Sequence, residues 1–219
     1  MNRAIITADL EESTKCSSAE LDMLIDFIKK EIHGPPSEML IHQAVFYRGD
    51  SFQALVRHPA DALRTAMILK TGINKFVTNE VEYRRGSKVK YDVAIAIGLG
   101  DVTKDLPLEE SNEKPFILSG RGLEQLKSSR LTIGVFTGRS DTDRNFETMF
   151  YLYEWIMKKW SLSSAELIYH KLKGKTEREI AKELNISQSA ANQRSHAACW
   201  NGLDRLLKRY KEVVETLYT

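Results

Sequence analysis

Ala44-Val45-Phe46-Tyr47-Arg48-Gly49-Asp50-Ser51-Phe52-Gln53-Ala54-Leu55-Val56 is the stretch whose reading decides the fold. Two strand-like runs flank Arg48-Gly49-Asp50-Ser51, and a short Gly-Asp turn between such runs predicts a β-hairpin over Met39–Val56. Upstream, Leu21, Leu24, Ile25, Ile28 and Ile32 recur at helical spacing from about Ser18 and predict a one-faced helix. It stops at Gly34-Pro35-Pro36, where Gly suits a C-terminal cap and Pro cannot continue. Before it, Arg3–Ala8 reads as a buried strand ending at Asp9. Downstream, Pro59 opens a helix through about Phe76, with Ala62, Ala66, Leu69 and Ile73 on one face. Val89–Leu99 is a strand of small residues closed by Gly98-Leu99-Gly100-Asp101. The order β-α-β-β-α-β predicts an α+β, ferredoxin-like sheet with its helices on one face. Thr103–Lys114 then reads as a polar loop, Arg121–Ser128 as a short helix and Leu131–Phe136 as a further strand.

The rest of the chain has a different character. Asp143–Trp160 is an aromatic-rich helix, and Ser161–Thr219 reads as wholly helical. Three units are expected: an α+β domain over 1–140, a linker helix over 141–160 and an all-α domain over 161–219. The 219 residues carry a formal charge of only +2, but residues 1–157 hold 20 basic and 23 acidic side chains while residues 158–219 hold 12 and 7. The first part, at −3, argues against a polyanion partner; the second, at +5, permits one. No run of about 18 apolar residues signals a membrane span. Asp9 stands too early for a signal peptide, and Cys16 and Cys199 are far apart with no CxxC and no metal spacing, so a cytoplasmic setting is expected. The five histidines form no ligand spacing.

Within the helical part, Thr176-Glu177-Arg178-Glu179 has the pattern of a capping box. A short helix follows, then Asn185-Ile186-Ser187, and Ser187 can cap the next helix, Gln188–Asn201. Ala181 is small where two helices would cross, Ile180, Leu184 and Ile186 can fill a core, and Asn185 tolerates the left-handed conformation that a sharp turn requires. The run Glu179–Ala191 resembles the helix-turn-helix of sigma-factor region four and LuxR proteins. That resemblance implies double-stranded DNA as partner. Ser187, Gln188, Ser189, Asn192, Gln193, Arg194 and His196 are the side chains expected to meet bases or phosphates. One such motif reads too few base pairs for tight specific binding, so a homodimer is expected. Trp200, Leu203, Leu206, Leu207, Val213, Val214 and Leu217 form a later stripe that suits either the chain's own core or a dimer seam.

In the first part, Asp9 ends a strand and Asp50 sits in the hairpin turn. Neighbouring strands would let both carboxylates reach one point, a hard-oxygen pair suited to Mg²⁺ with a nucleotide. The ordinary alternative is that Asp9 caps a loop and Asp50 makes a turn. The strand before Asp9-Leu10, the Arg48-Gly49-Asp50-Ser51-Phe52 hairpin and the strand Ala94–Val102 resemble the class III nucleotidyl cyclase fold. The resemblance implies metal ligands at Asp9 and Asp50, with the Leu10 carbonyl as a third. It departs at Ser119–Leu126, where Arg121 replaces the family's Asn and Gln125 its transition-state Arg; Arg121 can still meet phosphate. Losing a transition-state charge typically costs a few kcal/mol, so nucleotide or metal binding is expected without cyclisation. Gly49-Asp50-Ser51-Phe52-Gln53, with the glycine-rich strand end and the terminal helix pair, is similar to the SatD-like family of bacterial proteins. Gln53 either holds the hairpin or faces the cleft.

Together these readings predict a bacterial DNA-binding transcription regulator with a degenerate cyclase-like sensing domain. The alternatives are a metal-dependent nucleotide-processing enzyme and a protein-interaction scaffold.

Overall fold

The computed structural model describes residues 2–11, 13, 16–33, 41–47, 50–76, 91–102 and 112–218. The expected stop at Gly34-Pro35-Pro36, the turn residues Arg48-Gly49 and most of the Thr103–Lys114 loop lie outside them.

Alternation along β1 (Asn2–Leu10) sets the two sides of the sheet. Ala4, Ile6, Ala8 and Leu10 enter the main core, whereas Ile5 belongs to a separate cluster on the other side, the side that Thr7 and Asp9 share by the same alternation. The main core is closed by α1 (Ser18–His33) through Leu24, Ile28 and Ile32, and by α2 (Ala62–Lys75), which follows a 3₁₀ turn at Pro59–Asp61. The strands β2 (Ile41–Tyr47), β3 (Ser51–Val56), β4 (Val93–Asp101) and β5 (Ile133–Phe136) complete a sheet of order β2-β3-β1-β4-β5. The first four are antiparallel neighbours, which is the ferredoxin-like arrangement; β5 adds to β4 in parallel.

The sheet has helices on both faces, which corrects the one-face expectation. Helix α3 (Lys114–Ser129) crosses the second side, with Phe116 against Ile5 and Leu55, and Leu123 and Leu126 against Ala94 and Ala96. It begins seven residues before the Arg121 expected from sequence, with a proline in its first turn. Gly98 allows it to approach: a Cβ there would stand 2.0 Å from the Pro115 carbonyl oxygen and 2.6 Å from the Ser119 nitrogen.

Helix α4 (Ser140–Met157) lines β5, and α5 (Leu162–Leu172), α6 (Glu177–Glu183), α7 (Gln188–Ala197) and α8 (Trp200–Tyr218) follow. The single expected helix Gln188–Asn201 is two helices, because Cys199 takes a left-handed φ of 55° and turns the chain between them. The apolar core is continuous across residues 140–160: Phe146, Phe150, Leu167, Leu203 and Tyr210 belong to the cluster that holds Ile6 and Ile97. Long-range hydrogen bonds tie the same parts, from Tyr210 Oη to the Pro59 carbonyl (2.8 Å), Arg64 Nε to the Leu172 carbonyl (2.8 Å) and Tyr169 Oη to Glu31 (2.6 Å). Leu203, Leu206 and Val214 of the late apolar stripe are buried in this core, and Trp200, Leu207 and Val213 pack against it half-buried.

Candidate functional site

Helix α3 covers β4 and the near side of β1, and it leaves a half-buried polar strip on the second face of β1, β3 and β2. Strand register sets Thr7 opposite Gln53 and Asp9 opposite Ser51. A hydrogen-bond relay crosses this strip: Tyr47 Oη donates to Gln53 Oε1 (3.3 Å), Gln53 Nε2 to Thr7 Oγ1 (3.2 Å), Thr7 Oγ1 to Ser119 Oγ (2.8 Å), and Ser119 Oγ to the Phe116 carbonyl (3.1 Å). Gln53 therefore faces this side, and the relay fastens α3 to the sheet.

Asp9 and Asp50 converge at one end of the strip. Ser51 Oγ donates to Asp9 Oδ1 at 2.5 Å and lies 3.4 Å from Asp50 Oδ1, while Ser13 Oγ donates to Asp50 Oδ2 at 2.8 Å. The Leu10 backbone N–H donates to the Asp50 carbonyl at 3.1 Å, which pins the turn against the end of β1. The partner that sequence reading missed is Lys127, whose ammonium stands 2.9 Å from Asp9 Oδ2. That hydrogen bond is the main reason its pKa lies above the ordinary lysine value. Arg121 is exposed and stands six residues earlier on α3, about 120° around the helix from Lys127, so it points away from Asp9. Gln125 lines a separate cleft of about 210 Å³ between α3, β5 and α4. The polar stripe Gly120, Glu124, Lys127 beside the buried Ser119, Leu123 and Leu126 was the available signal for Lys127.

An ion pair between a buried lysine and a half-buried aspartate underlies the same end. Lys70 is 1% exposed and its Nζ stands 2.6 Å from Asp92, with a second bond to the Val93 carbonyl at 3.0 Å. Burial alone would raise the Asp92 pKa; Lys70, with hydrogen bonds from Asn74 and the Val93 N–H, outweighs it and holds the carboxyl below its ordinary value. Glu11 is pushed upward, first by desolvation and then by the Asp92 carboxylate, with Asp9 adding to it. Negative charge is thus dense where β1 ends.

Among the described residues no group of three or more His, Cys, Asp or Glu gathers in a way that could hold a metal. A pair of carboxylates fits a cation that keeps several waters and takes further ligands from phosphate, as Mg²⁺ does. Such an ion would meet Asp9 and Asp50, with Lys127 released from Asp9 to face the phosphate.

The second candidate surface is α6 and α7. Thr176 Oγ accepts from the Glu179 N–H (3.3 Å) and Glu179 accepts from the Thr176 N–H (2.8 Å), a reciprocal cap. Asn185 has φ 51°, the Ile186 N–H bonds the Ala181 carbonyl (2.9 Å), and Ser187 Oγ accepts from the Ala190 N–H (3.1 Å). Ala191 and Ser195 face inward, leaving Gln188, Ser189, Asn192, Gln193 and His196 exposed. Asn192 also reaches Glu177 at 3.2 Å. Arg194 is half-buried and turns to Glu166 on α5 at 3.6 Å, away from that exposed face.

No family model matches the chain, and no curated protein does. Among solved structures, the chain is similar to the GGDEF domain of DgcB from Caulobacter crescentus, which was crystallised with c-di-GMP. The identity is 14%, the TM-score 0.42, and the match covers 62% of this chain and 77% of that one. No described helix is long and apolar enough to cross a membrane.

Proposed function

We propose that this protein is a DNA-binding transcription regulator whose α+β part holds a nucleotide with Mg²⁺. The observation that carries the reading is α7. Its N-terminus is capped by Ser187, the turn before it is set by the left-handed Asn185, and its outer face is polar and uncharged apart from histidine. Gln and Asn side chains on such a face suit bidentate contact with base edges in a major groove, and Arg178 and Lys182 on α6 suit phosphate contact. In this reading Asn192 exchanges Glu177 for a base, and Arg194 keeps α7 seated on α5.

The ligand reading rests on Asp9, Asp50 and Lys127, and Arg121 is left without a role in it. Helix α4 is the route between the two sites. Glu154 accepts hydrogen bonds from Thr132, just before β5, and Trp160 Nε1, just after the helix, donates to the Ala198 carbonyl at the end of α7 (3.0 Å). A shift of the sheet edge would pass along that helix to α7.

The test is retention of fragmented bacterial DNA by the full chain. Wild type is expected to enrich discrete fragments, and Asn192→Ala with Gln193→Ala to enrich none. Equal enrichment by both proteins would remove α7 from the interface, and no retention by wild type would remove the DNA reading.

A further inference from the structure

We infer that the cleft between α3, β5 and α4 takes a free α-amino acid with an apolar side chain, its ammonium on Glu147 and its carboxylate on Arg144. The cleft holds about 210 Å³. Leu126, Leu131, Ile133, Val135 and Phe136 form its floor, and their side chains are all hydrocarbon. A cavity of about 150 Å³ with such walls stays dry and binds benzene, so this one has room for a branched aliphatic group or a phenyl ring. Gln125, Arg144 and Glu147 line the same cleft and are exposed, so its mouth is polar.

The groups at the mouth identify the polar end of the ligand. Asp143 also lines the cleft, but its carboxylate is taken up by the Thr137 N–H (2.8 Å), the Thr137 hydroxyl (2.6 Å) and the Gly138 N–H (3.1 Å). Arg144 and Glu147 stand three positions apart on α4, where opposite charges ordinarily pair. They do not pair here. Arg144 turns to Asp141 at 2.5 Å, and Glu147 has no hydrogen-bond or ion-pair partner among the described residues. The Arg144–Asp141 pair is 74 and 87% exposed, so it holds weakly, and most of the guanidinium donors stay open to a second carboxylate. A ligand with one charge would set the other helix charge against its apolar body. A ligand with both charges on one carbon meets both side chains at the about 5–6 Å spacing of neighbouring turns. Gln125 faces them from α3, and its amide can donate to the carboxylate or accept from the ammonium.

The inference is independent of the DNA and nucleotide readings. Isothermal titration calorimetry of the full chain with L-leucine and L-phenylalanine tests it. At least one is expected to bind with a Kd between about 10 µM and 1 mM, the range open to a ligand of this size. The analogues that keep the apolar group and one charge are isoamylamine and isocaproate for leucine, phenethylamine and hydrocinnamate for phenylalanine. Each should bind at least about 10-fold more weakly than its amino acid, as loss of a hydrogen bond to a charged group does. Glu147→Gln and Arg144→Gln should each weaken the amino acid by a similar factor. Both side chains are exposed, so melting midpoints at wild-type level show that the variants fold. No binding of either amino acid at about 5 mM, single-charge analogues that bind as well as the amino acid, or variants that match wild type would each overturn the inference.

Discussion

Gly98→Ala is expected to be among the most damaging single-methyl additions in this chain. The added Cβ would sit 2.0 Å from the Pro115 carbonyl oxygen and 2.6 Å from the Ser119 nitrogen. Both are backbone atoms, so no rotamer change relieves them. A carbon needs about 3.3–3.6 Å from a carbonyl oxygen, so α3 must retreat by roughly 1.3–1.6 Å. A gap of even 0.5–1 Å forfeits about a quarter to a half of the dispersion energy across it, here at Phe116, Leu123 and Leu126. The upper end of overpacking costs, about 3 kcal/mol, is the expected loss. In a chain of this length that lowers the melting midpoint by roughly 6–12 °C. The same retreat breaks the Thr7–Ser119 hydrogen bond and draws Lys127 from Asp9. Gly120→Ala is the control on the same helix: a Cβ there meets nothing within 4 Å, and replacing a mid-helix glycine should stabilise by about 0.5–1 kcal/mol. Urea unfolding of both variants measures the contrast. A Gly98→Ala protein within about 0.5 kcal/mol of wild type would refute the reasoning that α3 is seated backbone-on-strand at this point.

Lys70→Met strands Asp92, and because Asp92 keeps 32% exposure the loss should be about 2–3 kcal/mol, below the 3–5 of a fully buried pair, read by urea unfolding at pH 7. His170, packed against Glu183 at 3.7 Å with Lys75, Lys173 and Lys175 near, has its pKa lowered from 6.5, mainly by burial. The unfolded chain then binds the proton more readily, so this contribution is complete above about pH 6.5 and is lost as pH falls through the lower folded value. Melting curves from pH 7.5 to 5 should show that decline, flattened in His170→Asn. Millimolar Mg²⁺ with a nucleoside triphosphate should raise the melting midpoint of wild type and leave Asp50→Ala unmoved; an equal rise in both would detach the nucleotide from the carboxylate pair.

The local punctuation of the chain is largely legible in sequence. The capping box at Thr176, the turn at Asn185 and the cap at Ser187 depend on near neighbours, and they stand in the structure as residue type and spacing suggest. The hairpin partners and the first helix follow from periodicity for the same reason. What was not legible depends on contacts distant in sequence. The small residues of β4 are legible as a strand, but that Gly98 admits a helix on the second face depends on α3 lying across it. Lys127 is not legible from the cyclase pattern, whose positions here are 121 and 125, because helical phase decides which side chain meets Asp9. Lys70 stands on a helix whose apolar face is legible, but its burial follows from Asp92, more than twenty positions away. The break at Cys199 has no glycine to announce it; a non-glycine residue there takes the left-handed conformation.

The most direct measurement is the salt dependence of affinity for a DNA fragment retained by the wild-type chain, followed by fluorescence anisotropy. Wild type should lose affinity linearly in log salt, with a slope near −0.9 per phosphate contact. Asn192→Ala with Gln193→Ala should lose affinity for that fragment by about 10- to 100-fold while keeping the slope, because bases are read by those side chains and phosphates by others. Affinity and slope indistinguishable between the two proteins, or no salt-dependent binding by wild type, would contradict a recognition role for α7.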